Sequence, residues 1–175
     1  MIDLTNPRIG NLAGFLTCVG MMAFALFAQH VLGMEPCPLC VFSRVATMAL
    51  GGVFLVAAIH GPDRPLGKAL YAGSIFVVAS IGVAISARHV WLQSLPKDQV
   101  PACGPDLGFM LETFPLAEVL STVLQGSGEC AEVSWRLFGL TMPAWTLIAL
   151  ATLGAWGVWA NWPTRGASPP AASSP

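Results

Sequence analysis

Four stretches of this chain contain no Asp, Glu, Lys or Arg: residues 9–34, 45–62, 69–87 and 137–164, which are 26, 18, 19 and 28 residues long. A helix that crosses a bilayer needs roughly 20 mostly apolar residues, because the hydrocarbon core is about 30 Å thick and each residue rises about 1.5 Å. All four stretches reach or nearly reach that length. Lipid offers the backbone no hydrogen-bond partners, so the spans are expected as helices. Composition agrees. Only 10% of the 175 residues are charged and the mean hydropathy is +0.69, whereas soluble domains carry about 25% charged residues. A formal net charge of −1 gives no reason to expect nucleic acid as a partner.

The fold class expected is therefore an all-α integral membrane protein. It is read as a single four-span domain over residues 1–165, with spans at about 10–33, 41–60, 67–91 and 142–162. Small residues such as Gly51, Gly52, Ala149, Ala151 and Ala155 allow the helices to pack closely. The first span is longer than the apolar region of a cleaved signal, about 7–15 residues, and only Arg8 precedes it, so it is read as retained. A short link, 34–40, joins the first two spans, and the polar turn Gly61-Pro62-Asp63-Arg64-Pro65 follows the second. Residues 92–141 form the one long loop, and the Pro-, Ala- and Ser-rich tail, 166–175 and its approach from Pro163, is expected to be disordered. Within the loop, Leu116, Val119, Leu120, Val123 and Leu124 fall on one helical face. They predict a short amphipathic helix from near Pro115 to Gly126, either flat on the membrane or packed on the bundle.

An even number of spans puts both termini on one side. Arg8, Arg64, Lys68 and Arg165 fall there. The long loop has Lys97 and Arg136 against Asp98, Asp106, Glu112, Glu118, Glu129 and Glu132. Counting Arg44 and Arg88 brings the basic totals close to a tie, so the positive-inside rule favours cytoplasmic termini only slightly. The cysteines weigh more. Cys37, Cys40, Cys103 and Cys130 all fall on the loop side, while Cys18 is mid-span. Disulfides persist in oxidising compartments, which points that side to the periplasm.

Cys37-Pro38-Leu39-Cys40 precedes a helix. A metal site is disfavoured, because it needs four donors, only Cys103 and Cys130 are available to complete it, and no His is near in sequence. A static disulfide across so tight a loop gains little from closure. A redox pair is favoured, since this spacing at a helix N-terminus stabilises a thiolate. Arg44 lies four residues after Cys40 and shares its face. A membrane-embedded Arg is a functional candidate, its alternative being to snorkel to the headgroups. The chain has no haem-attachment or dinucleotide motif, so a membrane-dissolved quinone is the natural electron acceptor. It would dock where Cys40 and Arg44 meet the lipid, with Arg44 stabilising negative charge on a ring oxygen. His89 near the same depth is either a hydrogen-bond partner for it or a polar interfacial residue.

These residues resemble the DsbB family, quinone-dependent membrane proteins that reoxidise the periplasmic thiol oxidase DsbA. The resemblance spans about residues 15–150. It is carried by Ala28-Gln29-His30-Val31, Glu35-Pro36-Cys37-Pro38-Leu39-Cys40 with Arg44, His89 with Leu92-Gln93, Ser127-Gly128-Glu129-Cys130-Ala131-Glu132, Trp135, Phe138-Gly139-Leu140 and Met142-Pro143-Ala144-Trp145. It implies a multi-pass protein of the bacterial inner membrane with ubiquinone or menaquinone as cofactor and a DsbA-like thioredoxin-fold oxidase as partner. It also implies that Cys103 forms the mixed disulfide with that partner and that Cys103 pairs with Cys130. Cys130 would then exchange with Cys37, and Cys40 would face the quinone beside Arg44 and His89. Ser43 departs from the Gln that many relatives carry there, Pro38 falls at a variable position, and Cys18 has no family role. A vitamin-K-epoxide-reductase-like protein would carry its Cys-x-x-Cys late in the chain, not after the first helix. A tetraspan scaffold with two structural disulfides would account for the cysteines but not for Arg44.

Overall fold

The structure, a computed structural model, describes residues 6–96, 99, 107–126, 128–133 and 135–162. Cys103 and the tail from Pro163 lie outside them. Helices α1 (Pro7–His30), α2 (Pro38–His60), α3 (Pro65–Ser94) and α7 (Met142–Ala160) are the long elements, and all four are long and apolar enough to cross a membrane. Three starts are set by proline in the first helical turn, at Pro7, Pro38 and Pro65, where its missing N–H needs no partner and its fixed φ suits the helix. These helices begin two or three residues earlier than the hydrophobic pattern predicts, because that pattern marks apolar residues and not the capping residues ahead of them. α1 ends at His30, three residues before the expected end, and Gly33 then turns the chain in the left-handed region at φ 65°.

The four helices pack as a bundle, α1 on α2, α2 on α3 and α3 on α7, with α7 closing the ring against α1. Unlike a soluble bundle, they are apolar on the outside as well as within. Leu16, Phe24, Val45, Met48, Phe76 and Ile81 face outwards, while Asn11, Ser43, Thr47 and Ser86 are buried. That is the arrangement of a helix bundle solvated by lipid, where close packing and interhelical hydrogen bonds replace the hydrophobic drive. Phe54 fills the centre with Leu50, Ile75, Leu150 and Cys18. A Cβ on Gly157 would stand 2.6 Å from Ile75 Cγ2 and 2.8 Å from the Phe54 ring, so only glycine lets α7 approach this closely.

Among its described residues the long loop carries three short helices, α4 (Leu107–Thr113), α5 (Leu116–Gln125) and α6 (Gly128–Ala131). The amphipathic helix is α5, with Pro115 and Gly126 at its caps. Its Val119 and Val123 are buried in a second cluster with Leu39, Leu92, Met110 and Cys130, while Leu116 and Leu120 stay exposed. Val119 and Val123 of the apolar stripe thus seat the loop on the bundle. A hairpin not anticipated from the sequence precedes α7: β1 (Arg136–Leu137) pairs antiparallel with β2 (Leu140–Thr141). Its turn residues Phe138 and Gly139 have φ of 52° and 82°, as a two-residue hairpin turn of the primed type requires.

Candidate functional site

Cys37 is the N-cap of α2. Its backbone is extended, and its Sγ accepts a hydrogen bond from the Cys40 N–H at 3.4 Å. The sulfur therefore occupies the place an Asp or Ser oxygen usually takes at a helix start. Pro38 then sets the first turn, and the three-residue spacing brings Cys40 back over the cap. The Cys37 S–H donates to Cys40 Sγ at 3.0 Å. A disulfide bond would need about 2.05 Å, so Cys37 and Cys40 stand here as thiols, as does Cys18. Cys40 lies inside the helix and not in the preceding link, so its sulfur is held by helical backbone.

The loop delivers a third sulfur. α6 docks on α3 and carries fully buried Cys130, whose side chain interacts with Cys37. Cys37 thus touches the loop cysteine on one side and Cys40 on the other. Bonding to Cys130 first, then bonding to Cys40 and burial, hold the Cys37 thiol well above the usual cysteine range.

His89 comes from α3. Its Nε2 stands 3.7 Å from Cys37 Sγ and its Nδ1 4.0 Å from Cys40 Sγ. The ring also bonds the Cys130 main chain, and the residue is only 4% exposed. It is therefore an interior group bridging the sulfurs, not a side chain at the membrane surface. One donor atom each from Cys37, Cys40 and His89 lies within 4.8 Å of the other two. The sequence argument against a metal rested partly on the lack of a neighbouring His, and the fold supplies one from 49 residues away.

Arg44 does not snorkel. Its guanidinium turns towards α1, where Nη1 donates to Gln29 Oε1 and Nη2 donates to the Ala25 carbonyl at 3.2 Å. A cavity of about 140 Å³ opens beside it, lined by Cys37, Cys40, Arg44 and His89 together with Gln93 and Trp135. At about 30 Å³ per liquid water, that is room for roughly five waters or one small ring. Glu35, Glu129 and Glu132 also reach its wall. Gln93 Nε2 donates to the Glu132 carbonyl at 3.4 Å, and Gln93 Oε1 is a buried acceptor with no partner among the described residues.

Gln29 and Gln93 were not singled out as site residues in the sequence. Gln93 sits four residues after His89, on the same face, and Gln29 is a polar amide in a charge-free run. Either signal was readable. Cys18 packs in the mid-bundle core, away from the other three sulfurs.

Residues 7–160 match the family model DsbB, described as disulfide bond formation protein DsbB. The chain is 58% identical over 146 residues to disulfide bond formation protein B of Nitrosococcus oceani, covering 83% of this chain and 86% of that one. It is 49% identical over 158 residues to the protein of the same name from Chromobacterium violaceum, covering 90% and 94%. To the one from Xanthomonas euvesicatoria pv. vesicatoria it is 45% identical over 161 residues, covering 92% and 94%.

Proposed function

The chain belongs to the DsbB family of membrane disulfide bond formation proteins, and on that premise we propose that it is the quinone-dependent thiol oxidoreductase of a bacterial inner membrane. It reoxidises a DsbA-like thioredoxin-fold oxidase and passes two electrons to ubiquinone or menaquinone. Both termini are cytoplasmic, and the long loop and the Cys37 end face the periplasm. The observation that carries this reading is the position of Cys37, whose sulfur touches Cys130 from the loop and Cys40 beside the cavity.

The steps follow from thiol–disulfide exchange, in which a thiolate attacks one sulfur of a disulfide and the other sulfur leaves. The reduced partner attacks Cys103 of a Cys103–Cys130 disulfide, and Cys130 leaves as a thiolate. The partner's second thiolate then closes its own disulfide and frees Cys103. Cys130 attacks Cys37 of the Cys37–Cys40 disulfide, which frees Cys40 as the leaving thiolate. Cys103 attacks Cys130 of the resulting Cys37–Cys130 bond. The loop pair is restored, and Cys37 and Cys40 are left reduced with two electrons to hand on.

A quinone, when bound, supplies the acceptor for those two electrons and two protons. The residues present fit such a group. Cys40 and Arg44 share the wall of a ring-sized cavity, and Gln93 Oε1 on that wall is an acceptor with no partner among the described residues. Arg44 has five N–H donors, and Gln29 and Ala25 hold it in place while leaving others free to bond an anionic oxygen. His89, with one ring nitrogen near each sulfur, is placed to take the proton of an attacking thiol, hold it at Nδ1 or Nε2, and return it to a departing thiolate.

The test uses the full-length protein in detergent with a reduced thioredoxin-fold dithiol partner and a quinone. Cys40→Ser is expected to abolish quinone reduction while still forming a mixed disulfide with the partner. Undiminished quinone reduction by that variant would refute the proposal.

A further inference from the structure

The three donors gathered around the Cys-x-x-Cys pair have a second chemistry open to them. We propose that the reduced protein binds one thiophilic divalent cation, of the Zn²⁺ type, through Cys37, Cys40 and His89 with Cys130 as fourth ligand, and that this arrests the reduced state.

Distances support it first. In a tetrahedral zinc centre with Zn–S of about 2.3 Å and Zn–N of about 2.0 Å, neighbouring donors stand roughly 3.5–3.8 Å apart. One ring nitrogen of His89 can ligate: Nε2 is 3.7 Å from Cys37 Sγ, and one donor each from Cys37, Cys40 and His89 lies within 4.8 Å of the other two. The 3.0 Å Cys37–Cys40 contact is too short for a common ion and must widen by roughly 0.8 Å. Cys130 interacts with Cys37 but lies outside the set of donors within 4.8 Å of one another, so as the third sulfur it closes on the ion by a shift of the loop. Three thiolates and an imidazole are a donor set that closed structural zinc sites use.

The surroundings support it as well. Thiolate and imidazole donors select soft or borderline ions over Mg²⁺ or Ca²⁺. Glu35, Glu129 and Glu132 line the same cavity, so its wall carries three carboxylates against the single guanidinium of Arg44, which is bonded to Gln29. The cavity gives a hydrated cation access to sulfurs that are otherwise buried. Binding would release the thiol protons to solvent and involves no electron transfer.

The cation and the disulfide need the same sulfurs, so each excludes the other. Metal binding stabilises the reduced site by mass action and withdraws both Cys40 and Cys130 from exchange. When the acceptor is scarce, the partner also reduces the loop pair, and once both Cys37–Cys40 and Cys103–Cys130 stand as thiols the site becomes a metal trap.

Co²⁺ serves as the probe, because tetrahedral thiolate ligation gives visible d–d bands and a sulfur-to-metal charge-transfer band. The full-length protein in detergent, reduced with a phosphine and freed of metal, is titrated with Co²⁺ and then with Zn²⁺. The expected result is one Co²⁺ per chain with a tetrahedral spectrum, displaced stoichiometrically by Zn²⁺. The spectrum should vanish when Cys37–Cys40 is oxidised. His89→Ala and Cys130→Ser should each weaken binding at least tenfold, while Cys18→Ser and Cys103→Ser leave it unchanged. Absence of a tetrahedral spectrum would overturn the proposal. So would a spectrum that survives oxidation, one that depends on Cys103, or one indifferent to His89→Ala or Cys130→Ser.

Discussion

At one end of the bundle, Asn11 and Asn161 bond each other reciprocally. Asn11 Nδ2 donates to Asn161 Oδ1 at 3.0 Å, and Asn161 Nδ2 donates to Asn11 Oδ1 at 2.8 Å and to the Gly157 carbonyl at 2.8 Å. Both side chains are fully buried. At the other end, Arg44, His89, Gln93, Cys37 and Cys40 are also buried or half-buried, yet they surround a cavity, and Gln93 Oε1 has no partner among the described residues. The first set is closed on itself and joins α1 to the end of α7. The second keeps bonding capacity turned towards a space that another molecule can fill. Polarity inside a membrane bundle thus has two uses, glue and chemistry, and whether a group's bonds are already satisfied distinguishes them.

That comparison is tested most severely at Arg44. If it belongs to the chemistry, Arg44→Met should lower quinone reduction by about 10²-fold, the scale seen when one donor to a developing negative charge is removed. The thermal midpoint in detergent should fall by only a few degrees, because Met retains the apolar stem. A variant that unfolds readily but turns over normally per folded molecule would place Arg44 with the glue.

Between the two ends, packing should respond to volume and not to redox state. Gly157→Ala puts a methyl against Phe54 and Ile75, and such overpacking typically costs about 1–3 kcal/mol. Combining it with Phe54→Leu should recover part of that loss, because the two sites share one space. The measurement is a double-mutant cycle on unfolding free energy. Strict additivity would show that the Phe54 ring is not what confines α7.

Much of this architecture was readable without coordinates, and the division is instructive. The four spans follow from charge-free length alone, since lipid penalises every interruption. Arg44 and Cys40 fall on one face by helical spacing. The burial of His89 between two sulfurs was not readable, because it depends on how α3 is rotated and shifted against α2, a matter of contacts such as Ser43 with Ser86 at 3.3 Å. The same applies to Gln29 meeting Arg44 across two helices. The hairpin escaped notice because Phe138 at positive φ is not the Asn or Asp that usually marks such a turn. The Cys130 contact with Cys37 rested on family resemblance in the sequence. The described loop now brings those two side chains together.

The smallest effect is expected at the asparagines, and it has a particular sign pattern. Interhelical hydrogen bonds in membranes average about 0.6 kcal/mol and reach about 1.7 kcal/mol. Asn11→Leu removes one partner and leaves both polar atoms of the buried Asn161 amide without their Asn11 bonds, although its Nδ2 keeps Gly157. It should destabilise by about 1 kcal/mol, and so should Asn161→Leu. Replacing both removes the orphaned atoms along with the bonds, so the double variant should be more stable than the sum of the singles predicts and close to the parent. Unfolding free energies of the four proteins measure this coupling, and turnover per folded molecule should be the same in all. A change in turnover would mean that the closed amide pair communicates with the sulfurs at the opposite end. Pairing would then no longer separate glue from chemistry in this fold.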